Sequence, residues 1–238
     1  MFGGDSNLEW VVTGLGGNTL QVYGRLANGQ NIYPVGAYSH AEGYYTTASG
    51  SHSHAEGLST TAIGDYSHAE GNSTTATGSH SHAEGLSTTA IGSAAHAEGN
   101  GTYAIGNQSH AEGGVTYALG LCSHAEGYFT TAYGDYSHAG GASTEASGTF
   151  QTVVGTNNVR NNSSSIFVVG TGDWSTTFSR DSFKVEAFDF TNPTNGGHIV
   201  MPHVSQSLNF INDASAAAAG VPLGGIYHNN GIRSEEHT

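Results

Sequence analysis

Basic residues are nearly missing from this chain: five Lys and Arg stand against nineteen Asp and Glu, a formal net charge of −14. Binding to nucleic acid works by neutralising phosphates with Lys and Arg, so DNA and RNA are excluded as expected partners. An anionic membrane surface is disfavoured on the same ground. Charged residues of both signs reach only 10%, far below the usual quarter, which excludes a charge-rich disordered tail. A single cysteine, Cys122, leaves no intramolecular disulfide and no cysteine-based zinc site. No apolar run approaches the ~18 residues of a membrane-spanning helix. Met1 to Asp5 is not a basic segment leading into an apolar run, so no secretory leader is read there.

Glycine, by contrast, is abundant, with 36 residues. Gly, Ser, Thr and Asn all disfavour helix interiors, so a turn-dense, all-β chain is expected. A repeat explains the glycine. His40, His54, His68, His82, His96, His110, His124 and His138 follow one another at intervals of fourteen residues, each within Ser-His-Ala-Glu-Gly or a near copy. Glu42, Glu56, Glu70, Glu84, Glu98, Glu112 and Glu126 follow two residues after their histidines. The fifth unit has Ala95 for Ser, and the eighth has Gly140 for Glu. Between these units lies Thr-Thr-Ala-x-Gly, with Ala48, Ala62 and onward to Ala146. Glycines of the two units alternate every seven residues, from Gly43 and Gly50 to Gly148. Such self-similarity marks a solenoid. The spacing predicts eight stacked fourteen-residue coils over residues 37–150, each of two five-residue strands and two short turns. Unbroken phase argues for register, because a one-residue slip would turn every side chain to the other face.

Alternation along each strand places Ser and Ala of Ser-His-Ala-Glu on one face, with His and Glu on the other. It likewise sets the first Thr and Ala of Thr-Thr-Ala-x against the second Thr and x. The unvarying small set (Ser39, Ala41, Thr46, Ala48 and their copies) is expected to fill a thin interior. Glycine would end each strand where a turn or a close approach excludes a Cβ. Position x then points outward yet is often apolar: Ile63, Ile91, Ile105, Leu119 and Tyr133, with Tyr103 and Tyr117 beside them. An apolar stripe along a solenoid calls for a cover, most simply a further copy of the chain. At a coil spacing of about 4.8 Å, eight coils make a rod roughly 40 Å long.

At these residues the sequence resembles the head repeats of YadA-like trimeric autotransporter adhesins, which pair Ser-x-Ala-x-Gly with Ser-x-Ala-Ile-Gly. Ile63, Ile91 and Ile105, with their flanking Ala and Gly, follow the second half closely, and the resemblance covers about residues 36 to 150. It implies a left-handed parallel β-roll in which three chains pack around one axis. The Ser-His-Ala-Glu-Gly form resembles fibre proteins of bacteriophages and large viruses. So do residues 164–185, similar to the segment that follows such rolls, and residues 208–227, similar to the closing segment of viral fibres. The resemblance implies a homotrimeric virion fibre that attaches to a host-surface receptor, glycan or protein. The alternative is the head of a bacterial surface adhesin.

Outside the roll, residues 1–36 read as an N-terminal cap or attachment segment, with strands at Leu8–Val12, Thr19–Tyr23 and Gln30–Val35. Residues 151–200 read as a β-rich neck, with strands at Ser165–Gly170 and Ser182–Phe190. Residues 201–238 read as a fibre-end segment, with a short helical turn at Ala214–Gly220. The last six residues, Arg233–Thr238, match the start of a common sequencing adapter when read back through the genetic code. They are expected to be non-native, the true terminus missing, and no function is read from Glu235, Glu236 or His237.

The ladder His40, Glu42, His54, Glu56, His68, Glu70, His82, Glu84 and its continuation carry the types of side chain that bind divalent metals. Metal sites converge ligands on one point, whereas a ladder repeats one pair without a unique centre. It is therefore read as a solvated, self-neutralising face that charges below pH ~6.5, and neither metal nor cofactor is expected. The Thr46, Thr60, Thr74, Thr88, Thr102, Thr116, Thr130, Thr144 column resembles the hydroxyl arrays of ice-binding solenoids, but it is expected to point inward, and Tyr45, Gly101, Val115 and Phe129 break any flat surface beside it. A tailspike-like glycan-degrading enzyme needs two carboxylates across a cleft. The acids outside the roll, Asp173, Asp181, Glu186, Asp189 and Asp213, lie in no catalytic motif. No enzyme is expected.

Overall fold

Fourteen residues make one coil, and each coil lies in register on the next. In a computed structural model of the chain, the described residues are 8–13, 17–22, 26–30, 32–161, 163–173, 179–186, 199–200, 226–229 and 232–236. Among them there is no helix. Each coil contributes a long strand (His40–Tyr44, His54–Leu58 and their copies) to one parallel sheet and a short strand (Thr47–Ala48, Thr61–Ala62 and their copies) to a second. His82 pairs with His68 and His96, Ala83 with Ala69 and Ala97, and Glu84 with Glu70 and Glu98. The protein is thus an all-β parallel solenoid. The two strands of a coil are unequal, five and two residues, where two of five residues were expected. The Thr-Thr-Ala-x unit bends away after its alanine, so only two of its residues pair as a strand.

Both sheets extend beyond residues 37–150. Leu26–Gln30 pairs with His40–Tyr44, and Tyr33–Pro34 with Thr47–Ala48, each fourteen residues apart. The last part of the expected N-terminal cap is therefore a coil of the roll, hidden from the repeat because it has Leu-Ala-Asn-Gly in place of His-Ala-Glu-Gly. Leu8–Thr13 and Gly17–Val22 form an antiparallel hairpin. At the other end, Thr152–Thr156 continues the long-strand sheet, and Ser165–Thr171 follows it with a fifteen-residue step, Val153 opposite Val168. Asp181–Glu186 and Ile199–Val200 then add antiparallel. The expected strand end at 187–190 and the helical turn at 214–220 lie outside the described residues. Ile226–Asn229 and Ile232–Glu236 pair as a hairpin.

The interior is as thin as the small residues require. Every alanine from Ala41 and Ala48 to Ala139 and Ala146 in the two repeat columns is fully buried, as is the Thr column from Thr46 to Thr130. Two alanine methyls per coil, at about 0.8 kcal/mol each, are a small hydrophobic contribution, so backbone pairing carries most of the cohesion. Pairing extends to the corners: His52 N–H donates to Ala37 O at 2.8 Å, and Ser59 N–H to Tyr44 O at 2.8 Å. Each coil also turns twice through a left-handed residue, at Tyr38 (φ 56°) and Tyr45 (φ 57°) in one coil. These corner positions hold Tyr, His, Ser, Ala, Gln, Cys, Val and Phe along the roll, with glycine only at Gly101; residues other than glycine adopt this conformation at a cost of about 1 kcal/mol or more. Glycine ends each strand for the expected reason of close approach, here between successive coils. A Cβ on Gly50 would lie 2.0 Å from the carbonyl oxygen of Gly64, and one on Gly43, itself at φ +110°, 2.1 Å from that of Gly57.

Polar groups close the remaining gaps. Ser53 Oγ donates to Gly50 O at 2.7 Å, and Ser53 N–H to the same oxygen at 3.3 Å, tying the corner. The carboxylates of Asp65 and Asp135 and the amide oxygen of Asn107 accept corner N–H groups of Ser51, Leu121 and Ser93 one coil earlier, at 2.8–2.9 Å. The short-strand sheet ends at Glu145–Ala146, where the buried amide of Asn158 accepts from Glu145 N–H at 2.7 Å and donates to Glu145 O at 3.0 Å. It stands in for one residue of a further strand and covers the open edge.

Candidate functional site

The outward faces of the roll carry its chemistry. On the long-strand sheet, His and Glu alternate with the buried Ser and Ala, and parallel register brings all copies into two columns. Imidazole rings from His40 to His138 stack with centroids 4.7–5.0 Å apart and planes within 8°, the spacing of adjacent strands. From Glu56 to Glu126, each Glu side chain leans toward the histidine of the following coil. His68–Glu56 is 3.7 Å, His82–Glu70 3.4 Å, His96–Glu84 3.2 Å, His110–Glu98 3.1 Å, His124–Glu112 3.0 Å and His138–Glu126 3.3 Å, all from Nε2 to Oε1. His40 instead meets its own coil's Glu42 at 3.7 Å.

About a third of each side chain remains exposed, yet Nε2 of His40, His54, His68 and His82 is covered and makes no hydrogen bond. The face is thus only half solvated, where a solvent-facing ladder was expected. Burial, and repulsion from His54 and His82, hold His68 below its ordinary pKa against the opposing pull of Glu70 and Glu56. Triads such as His54–Glu56–His68 and His82–Glu84–His96 bring all three ligand atoms within 4.8 Å of one another. Repetition therefore does converge ligands, between coils.

Beside the short-strand sheet, the apolar stripe stands where the alternation placed it. Ile63 is 49% exposed, Ile91 45%, Ile105 38% and Tyr133 53%. Leu119, Tyr103 and Tyr117 are half-buried, the two tyrosine rings stacked at 5.1 Å. The stripe leads into a groove of about 340 Å³ lined by Tyr117, Phe129, Tyr133, Glu145 and Arg160.

Two further exposed columns were not read from the sequence. Tyr44, Leu58, Leu86 and Tyr128, with Tyr45 and Phe129, line one corner. Tyr38, His52, Tyr66 and His80 stack at 4.9–5.1 Å along the other. Their signal is the fourteen-residue spacing of aromatic residues, obscured by the Ser, Asn and Gly that share those positions. The Thr column is inside, with the hydroxyls of Thr46 to Thr130 unpaired, so it offers no outward hydroxyl array. Of the acids outside the roll, Asp181 is buried and accepts Val159 N–H at 2.8 Å, a structural role. Asp173 is exposed. The Glu186 side chain, Asp189 and Asp213 lie outside the described residues.

Stacked fourteen-residue coils, alanine-filled and glycine-spaced, define a parallel β-solenoid of the β-roll type. Residues 55–81, 83–109 and 97–114 match the YadA head domain repeat. The chain carries a YadA-like head repeat region, an adhesin-like module. No curated protein matches the chain.

Proposed function

We propose that this chain is a structural, non-enzymatic fibre protein of a virus or bacteriophage, homotrimeric and serving host-surface attachment. The observation that carries it is the stripe Ile63, Ile91, Ile105 and Tyr133, exposed on an isolated roll whose repeats match an adhesin head. An exposed apolar stripe of this kind, interrupted only at Thr77 between Ile63 and Ile91, marks an interface. Three copies around one axis would cover it and leave the His–Glu face and the corner aromatics outward for a receptor, glycan or protein. Neither nucleic acid nor membrane insertion enters this role. The viral reading over a bacterial adhesin head rests on the likeness of residues 164–185 and 208–227 to viral fibre segments.

The test is the mass in solution by light scattering, with three times the 24.4 kDa chain mass expected; a monomer at micromolar concentration would overturn the assembly. Labelled protein should then decorate host cells without releasing soluble glycan. Glycan release would instead identify an enzyme.

A further inference from the structure

We propose that the His–Glu ladder is a linear array of binding sites for divalent transition-metal ions of the zinc class. Each ion would be held by the imidazole of one coil and the carboxylate of the coil before. The ladder lies on the long-strand sheet, away from the apolar stripe, so the proposal is independent of the trimer. It replaces the expectation of a merely self-neutralising face.

Geometry carries the argument. Two ligands about 2.1 Å from a tetrahedral ion stand about 3.4 Å apart. Nε2 and Oε1 stand 3.0–3.4 Å apart at the five rungs from His82–Glu70 to His138–Glu126. The pair, hydrogen-bonded from His96–Glu84 onward, therefore has the bite of a chelate once an ion displaces the Nε2 proton. A ring nitrogen of the neighbouring imidazole completes triads such as His96–Glu98–His110, whose three ligand atoms lie within 4.8 Å of one another. Parallel rings 4.8 Å apart are too far for one ion to bond both nitrogens in place. The second histidine would join by tilting, and water would complete the shell.

Chemistry selects the ion. Imidazole with carboxylate suits Zn²⁺, Ni²⁺, Co²⁺ and Cu²⁺, whereas Ca²⁺ needs six or more oxygens. The formal charge of −14 draws cations to the surface. Ions on successive rungs would repel at one coil spacing, while ions two coils apart stand about a Debye length from each other at physiological salt. Alternate rungs should fill, giving about three ions per chain.

The experiment is equilibrium dialysis of the untagged full chain against ZnCl₂ at pH 7.5, with bound metal counted by mass spectrometry. Saturable uptake of about three ions per chain is expected, with release by pH 5 as protons compete for imidazole. Glu84→Gln, Glu98→Gln and Glu112→Gln together should lower saturable uptake from about three ions to about two, because the rungs His82–Glu70 and His138–Glu126 remain intact, with an unchanged circular dichroism spectrum. His52→Gln with His80→Gln, outside the ladder, should change nothing. Absence of saturable uptake, retention of zinc at pH 5, or loss with the His52 and His80 pair would each overturn the proposal. The pH arm on the unaltered chain holds even if the triple variant fails to fold.

Discussion

Nε2 of His124 lies 3.0 Å from Oε1 of Glu112, twelve residues back in sequence and one coil away in space. The contact exists because in-register stacking of fourteen-residue coils sets the carboxylate within reach of the next coil's imidazole, and from Glu56 to Glu126 the side chains turn that way. As the acceptor, it favours the tautomer that carries the proton on Nε2.

One consequence is a pH-dependent roll. His68, packed between His54 and His82 and faced by Glu56 and Glu70, has a pKa below 6.5, through burial first and the two flanking imidazoles second. The unfolded chain then binds more protons than the folded one between His68's own pKa and 6.5. Stability is complete above pH ~6.5 and falls as the pH drops through that window. Urea midpoints at pH 7.5 and 5.5 should show the loss, and His68→Gln should shrink it. An equal pH slope in the variant would reassign the effect to other groups.

Coil spacing should tolerate no side chain at the glycine columns. A Cβ on Gly92 would sit 2.0 Å from the carbonyl oxygen of Gly106. Backbone there can yield only by parting two coils, so Gly92→Ala should cost about 3 kcal/mol or more. Thermal unfolding reads this directly. A melting temperature within a degree of the parent would mean that the coils are not in such contact.

The two buried hydroxyl columns should behave in opposite ways. Thr88 Oγ1 has no partner, so Thr88→Val removes a desolvated group and should be neutral or stabilising by about 1 kcal/mol. Ser81 Oγ donates to Gly78 O at 2.6 Å, so Ser81→Ala should cost about 1 kcal/mol. Ala95, at the equivalent place, shows that the corner still forms, with its N–H on Gly92 O at 3.2 Å. Denaturant midpoints of the two variants should move apart. Movement in the same direction would show that the Thr hydroxyl is paired.

Charge on the apolar stripe should undo assembly without unfolding the coil. Ile91 is exposed on the single chain, so Ile91→Asp with Ile105→Asp leaves the alanine interior intact. The expected result is a monomer with an unchanged circular dichroism spectrum. A variant that retains the parent's mass in solution would place the interface elsewhere, the corner aromatics Tyr45 and Phe129 being next to test.

Architecture was legible from the sequence because a fourteen-residue repeat without insertions leaves one in-register way to stack, and alternation then assigns inside and outside. Ala41, Ala48, Thr46 and Ser39 are buried and Ile63 is exposed for that reason alone. The sequence did not reveal the coils whose motif has decayed. Leu26–Gln30 and Thr152–Thr156 join the sheet by backbone pairing, which does not depend on side-chain identity. Nor could it show how the ladder's side chains meet. Whether Glu98 turns to its own coil's His96 or to His110 is decided by strand spacing and side-chain reach, quantities that exist only once one coil lies on another. The linear pattern determined which residues share a face; the distance between coils decided what they do to each other.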